Sequence, residues 1–260
     1  MISKSQYIAL LCLLFSLNSS LLLGQGREFY ELKTYYLNTD EQVEMVDNYL
    51  KDAYIPTAHA NGFDKIGVFK PIGIDTMETK KIIVMTHASS LDRLLSLADI
   101  LSNDVEHQRM SESYWFAPYD APAYLRIETT VGHAFTKMPQ MHVPSFNTPK
   151  ADQVFELRSY EGASEKLYRK KVEMFNEGGE VDLFETLDFN AVFYAEVIAG
   201  PKQPNLVYMT SFKDMDTRNE LWKAFFASPK WKELSGKEEY QHTVSHADIY
   251  LLFPTEYSDI

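Results

Sequence analysis

Cysteine is almost absent from this chain: the 260 residues hold one, Cys12. It stands inside an apolar N-terminal run, too early and without the small preceding residues of a lipoprotein attachment point. Downstream of that run there is no disulfide, no thiol nucleophile and no thiolate metal ligand. Basic residues are the minority charge, 25 against 37 acidic, for a formal net charge of -12. A surface of that sign repels phosphate backbones and anionic lipid, so nucleic acid is not an expected partner. Also missing are a glycine-rich phosphate loop, a Gly-x-Ser-x-Gly elbow and calcium-loop spacing of carboxylates, which sets aside kinase, nucleotide-dependent and α/β-hydrolase chemistry. His242 and His246 have i,i+4 spacing but fall in the approach to a strand, with no Glu after His242. Neither a metal nor a cofactor is expected.

The opening residues read as an export signal. Lys4 gives a short positive start, residues 7–23 are apolar apart from Ser16, Asn18, Ser19 and Ser20, and the small residues Gly24 and Gly26 follow. The order of charge, apolar run and small residues is that of a secretory signal peptide. The polar break at 18–20 disfavours a stable membrane span. Cleavage would remove Lys4 and take the net charge from -12 to -13. The expected location is secreted or periplasmic, with no membrane insertion after cleavage.

What the chain does have is an internal repeat. Tyr30-Glu31-Leu32-Lys33-Thr34-Tyr35 recurs as Phe155-Glu156-Leu157-Arg158-Ser159-Tyr160, and Val84-Met85-Thr86 recurs as Tyr208-Met209-Thr210. The constant spacing points to a duplication. Each copy reads as strand, helix, strand, strand, helix, strand. In the first, residues 28–37 alternate as a strand, and Asp40 is a plausible N-cap. Val43, Val46, Leu50, Tyr54 and Ile55 then follow helical spacing, and Asn61-Gly62 closes the helix. Strands 63–72 and 81–87, a long helix from Leu91 to about Phe116, and a strand over 123–135 complete that copy. The second is predicted as strand 153–160, helix 164–175, strands 190–199 and 205–212, helix 216–227, a short helix at Trp231 and a strand over 243–253.

The fold class expected is α+β: two tandem ferredoxin-like (β-α-β-β-α-β) halves packed sheet to sheet as a pseudo-twofold α/β barrel. The expected segments are a signal peptide over 1–26, a first half over 27–136, a proline-bearing linker over 137–152 and a second half over 153–260. Each half would leave one sheet face bare, and the other half would cover it.

The Phe-Glu-Leu-Arg-x-Tyr opening of the second copy resembles the first strand of NIPSNAP domains. So does the stretch from Arg218 to Trp231, with Trp222, Phe225, Pro229 and Trp231, and the tail from Leu251 to Ser258. The first copy is similar but looser, with Tyr114-Trp115-Phe116 where a Trp-x-x-Phe would be. The resemblance implies a dimeric α/β-barrel fold, whose wider relatives include cofactorless monooxygenases, haem-handling enzymes and binding proteins. It implies no established reaction.

Chemistry is sought first on the repeated strand. Side chains alternate, so Phe155 and Leu157 share one face while Glu156, Arg158 and Tyr160 share the other, and Glu31, Lys33 and Tyr35 repeat that polar set. The apolar set is expected to face the helices and the polar set the barrel interior, where Tyr194 and Glu196 would join it. Buried acid and base must be paired or wet. Either the Glu pairs with Arg or Lys across the seam between halves, or the face forms a pocket for an anionic or hydroxylated ligand. His59 is read as capping its helix, and Trp222, Phe225, Phe226 and Trp231 as core packing. The function expected is binding of a small molecule or a protein partner through the barrel. The rivals are a cofactorless oxygenase-like enzyme using the barrel interior and a purely structural dimer module, with a homo-oligomer left open.

Overall fold

The computed structural model describes residues 26–260; all but the last residue of the expected export signal lies outside them. Among these residues eight antiparallel strands close into one barrel, with helices packed on its outside.

The first four strands are β1 (Phe29–Leu37), β2 (Gly67–Pro71), β3 (Lys80–Ala88) and β4 (Arg126–Ala134). The second four are β5 (Val154–Glu161), β6 (Ala191–Ala199), β7 (Asn205–Phe212) and β8 (His246–Pro254). Around the ring they run β1-β3-β2-β8-β5-β7-β6-β4. Each group of four is thus ordered fourth, first, third, second. The two groups join edge to edge, through β2 with β8 and β4 with β6. Closure leaves no strand edge unpaired, which removes the exposed edges a lone four-stranded sheet would carry. At the second seam β4 and β6 come very close. A Cβ on Gly132 would lie 2.8 Å from that of Ala195, so the position has no room for a side chain.

Between β1 and β2 run α1 (Asp40–Tyr49), a continuous π-helical stretch (Leu50–Tyr54) and α2 (Ile55–Ala60). Thr39, not Asp40, caps α1, its hydroxyl accepting from the Gln42 amide at 3.2 Å. Gly62, at φ 74°, ends α2 in the left-handed conformation predicted for it. The long helix expected over 91–116 is three pieces: α3 (Leu91–Asn103), α4 (Val105–Met110) and α5 (Glu112–Trp115). Asp104 interrupts it: its backbone is extended and its carboxylate accepts from the His107 amide, starting a new helix. In the second half α6 (Glu165–Asn176) is followed by α7 (Glu180–Thr186), which the periodicity did not reveal. Next come α8 (Met215–Ala227), capped by Asp214, and α9 (Pro229–Gly236), with Pro229 in its first turn. No helix of the described residues is long and apolar enough to cross a membrane.

Three buried clusters follow from this arrangement. Tyr30, Leu32, Phe69, Ile83, Met85, Phe155, Leu157, Phe193 and Met209 fill the barrel interior. Tyr35, Tyr49, Tyr54, Leu97 and Leu101 pack the first-half helices onto the sheet's outer face. Tyr194, Tyr208, Phe184, Trp222 and Phe225 do so in the second half. The face expectation is therefore inverted. The apolar residues of the repeated strand point into the barrel, and Glu31, Lys33, Tyr35, Glu156, Arg158 and Tyr160 point outward beneath the helices. The cause is that both faces of a closed, helix-covered sheet are buried. Over the outward face of β5, α8 supplies the Arg218 guanidinium and the Trp222 N–H that pair Glu156, while the middle of the interior is packed with apolar side chains.

Candidate functional site

The two copies of the repeated strand sit in equivalent frames and end in different chemistry. In β5, Glu156 is fully buried and fully paired. It accepts from Arg158 Nε at 2.7 Å, from Arg218 Nε at 2.7 Å and Nη2 at 3.0 Å, and from Trp222 Nε1 at 2.8 Å. Burial pushes its carboxyl up, but the Arg218 and Arg158 guanidinium groups more than offset this and leave it below the usual range. Arg158 lies over the Trp222 indole, 3.7 Å from the ring centroid, and donates to the Tyr160 hydroxyl at 2.8 Å; that hydroxyl shares a hydrogen bond of 2.9 Å with Tyr208. The expected pairing across the seam does not occur. The partners are on the same strand and on α8, because that helix lies directly over the outward face.

In β1 the counterparts are loosely held. Lys33 Nζ stands 3.4 Å from Glu31 Oε1 and 5.7 Å from the Tyr54 ring. Burial favours its neutral form, but the oxygens of Tyr54 and Glu31 outweigh this, and its ammonium holds its proton more tightly than an ordinary lysine. The reason for the looseness lies in the helix above. Counting from their first residues, Leu91 of α3 and Met215 of α8, the eighth residue of α3 is Ala98 and that of α8 is Trp222. The fourth residues are Leu94 and Arg218. The first half therefore lacks both the indole that covers Arg158 and the guanidinium that clamps Glu156.

A cleft of about 350 Å³ opens there, lined by Lys33, Tyr35, Tyr49, Ala98, Tyr114, Trp115 and Tyr124, among others. Its aromatic walls are ordered. Tyr49 and Tyr114 stack with centroids 3.7 Å apart and planes 3° from parallel, and Tyr35 meets Tyr114 and Tyr124 edge-on. Burial raises the phenol pKa of Tyr35, Tyr49 and Tyr114, so these hydroxyls are neutral donors. Lys33 is the single cation of the lining. Behind the wall His107 is fully buried between Tyr49 and Trp115, with no partner for either ring nitrogen.

The eight residues singled out from sequence do not converge. Glu31, Lys33 and Tyr35 lie under the first-half helices, and Glu156, Arg158, Tyr160 and Tyr194 under those of the second. Glu196 is apart from both, paired with Arg27 at 3.1 Å and Arg169 at 3.4 Å. Tyr49, Ala98, Tyr114 and Tyr124 were missed. The available signal was the loss of Trp222's counterpart between the aligned helices. His59 pairs with Asp259 at 2.7 Å. Of the tryptophan-rich stretch, Trp222 and Phe225 are core as expected, but Phe226 is half exposed. His246 does meet two acids: one ligand atom each from Glu161, His246 and Asp248 lies within 4.8 Å of the others. Lys202 already neutralises Asp248 there.

Comparison with known proteins adds to this geometry. The NIPSNAP family model matches residues 155–259, the stretch that begins on β5 and takes in α8. This segment is similar to a NIPSNAP domain. It therefore contains the sealed Glu156–Arg158–Trp222 arrangement, whereas the open cleft lies outside the matched residues. A NIPSNAP-like domain protein from Burkholderia xenovorans is 19% identical, covering 41% of this chain and 89% of its own, with a TM-score of 0.37. Over nearly the whole chain the fold is that of a provisionally named monooxygenase from Lactobacillus acidophilus NCFM. That protein is 11% identical, covers 88% of this chain and 94% of its own, and has a TM-score of 0.57. An anthrone oxidase-like protein shares the fold at 7% identity, covering 89% of this chain and 93% of its own, with a TM-score of 0.51. No curated protein matches in sequence.

Proposed function

We propose that this chain is a small-molecule-binding protein whose site is the first-half cleft over Lys33, and that the ligand is a planar aromatic compound carrying an acidic group. One observation carries this reading: Ala98 stands where the second half has Trp222, and leaves Lys33 open beneath aromatic walls. A flat ring finds Tyr35, Tyr49, Tyr114 and Tyr124 to pack against, and an acid or phenolate finds the Lys33 ammonium. Calorimetric titration with 1-hydroxy-2-naphthoate tests it. Saturable binding that disappears in Ala98→Trp supports the cleft as the site; absence of binding, or binding indifferent to that substitution, refutes it.

A second reading is oxygenase-like chemistry on such a ligand, favoured by the names of the fold neighbours. The filled barrel interior offers it no room, so it too would use the cleft. Oxygen uptake in the presence of an anthrone, absent without protein and absent in Ala98→Trp, is the measurement.

The finer architecture and the location belong to the same proposal. The strand order in each group of four supports two tandem ferredoxin-like halves over 27–136 and 153–260, joined by 137–152. Residues 1–26 act as a signal peptide and place the protein in the periplasm or outside the cell. N-terminal sequencing of the exported protein tests the latter.

A further inference from the structure

A second cleft, of about 360 Å³, lies in the other half between α7, the start of β6 and the segment that follows β4. Tyr194 on β6 forms part of its lining and is only 1% exposed, its ring stacked on Phe135 and Tyr208. Its hydroxyl has no hydrogen-bond partner among the described residues. Phenylalanine would satisfy the packing equally well. A buried hydroxyl left unpaired costs about 1–3 kcal/mol, which a ligand accepting from it would recover. Burial and the nearby Glu180 and Glu185 carboxylates raise its pKa well above that of free tyrosine, so it offers a proton and does not carry charge.

The rim is acidic. Glu185 and Asp188 line the cleft, both solvent-exposed. The one lysine of the lining, Lys137, is paired with Asp182 at 3.3 Å. Met138, Val181 and Ala191 supply an apolar wall between rim and floor.

We propose that this cleft is a binding site for a small organic amine bearing an oxygen acceptor. The ammonium sits against Glu185 and Asp188, the carbon skeleton lies along Met138, Val181 and Ala191, and the oxygen accepts from the Tyr194 hydroxyl. The site is independent of the Lys33 cleft, whose single charge has the opposite sign.

Tyramine, which has both groups, is the probe, and 2-phenylethylamine, which lacks the oxygen, is its control; both are titrated calorimetrically into the full chain. Tyramine is expected to bind the wild type and to bind Tyr194→Phe about tenfold more weakly, the loss of roughly one hydrogen bond. The phenylethylamine affinity should be the same for both proteins. The double variant Glu185→Gln/Asp188→Asn should weaken both amines, and Ala98→Trp should change neither. Absence of tyramine binding to the wild type, equal binding to Tyr194→Phe, or loss of binding in Ala98→Trp would each overturn the assignment.

Discussion

Arg158 lies flat on Trp222 while the same indole donates its N–H to Glu156, at 2.8 Å, so one side chain both covers the cation and pairs the anion. This triangle is the internal reference for the whole molecule. It shows what the repeated strand becomes when the helix above it closes the space, and by contrast what is left open over Lys33.

The triangle should be costly to break. In Glu156→Gln the Arg158 and Arg218 charges lose their partner while Arg158 stays buried. Removing one member of a buried pair typically costs about 3–5 kcal/mol. Because Arg218 is partly exposed, the expected loss is nearer the lower figure. Urea denaturation with an unchanged m-value measures it.

The same carboxylate makes stability depend on pH. Its pKa is lowered in the folded chain, so its contribution is complete above the unfolded carboxylate range and is lost as pH falls through the folded value. Wild type should lose more stability on acidification than Glu156→Gln does, when the two are compared by thermal melts across the acid range.

His107 works in a different window. Burial lowers its pKa below that of free histidine, with the Asp104 carboxylate countering this only in part, so the folded chain holds it neutral. The unfolded chain takes up the proton first, so stability is complete above about pH 6.5 and falls as pH drops below that value. His107→Leu should flatten the melting temperature between pH 7 and pH 5. An unchanged slope would show that the ring is not the titrating group.

Exchanging the two helix positions should exchange the two halves' properties. Ala98→Trp is expected to fill the cleft, abolish binding of the naphthoate probe and leave the melting temperature within a few degrees. Trp222→Ala should destabilise by about 3–5 kcal/mol, the usual cost of a large aromatic truncated in a core, with the loss of the Glu156 hydrogen bond in addition. Lys33→Met, which keeps the volume of the stem, should weaken the naphthoate at least tenfold with little effect on folding. A crystal structure of Ala98→Trp, with the indole over Lys33, would complete the comparison.

Much of this was legible in residues alone, for identifiable reasons. The repeat placed equivalent strands and helices, because alternation and helical spacing are local properties. Gly62 announced a helix end through a backbone angle that glycine tolerates best. The long helix over 91–116 was misjudged because Asp104 breaks it by capping its own successor, a polar event inside an apolar period. The likeness of residues 155–259 to NIPSNAP domains was also visible, in the strand opening at Phe155 and in the tryptophan-rich stretch.

By itself the sequence determined that two unlike faces alternate along β1 and β5, that the plan occurs twice, and that each Glu has a cation two residues on. It could not decide which face turns inward. Alternation separates buried apolar from exposed polar only where one face meets water, and here the closed barrel and its helices bury both. That choice was made in three dimensions, where α8 lies over the outward face of β5 and pairs Glu156 through Arg218 and Trp222. The same is true of the site: Ala98 and Trp222 are unremarkable until the helices are superposed on their strands. Only then does one prove to be a lid and the other the opening it leaves.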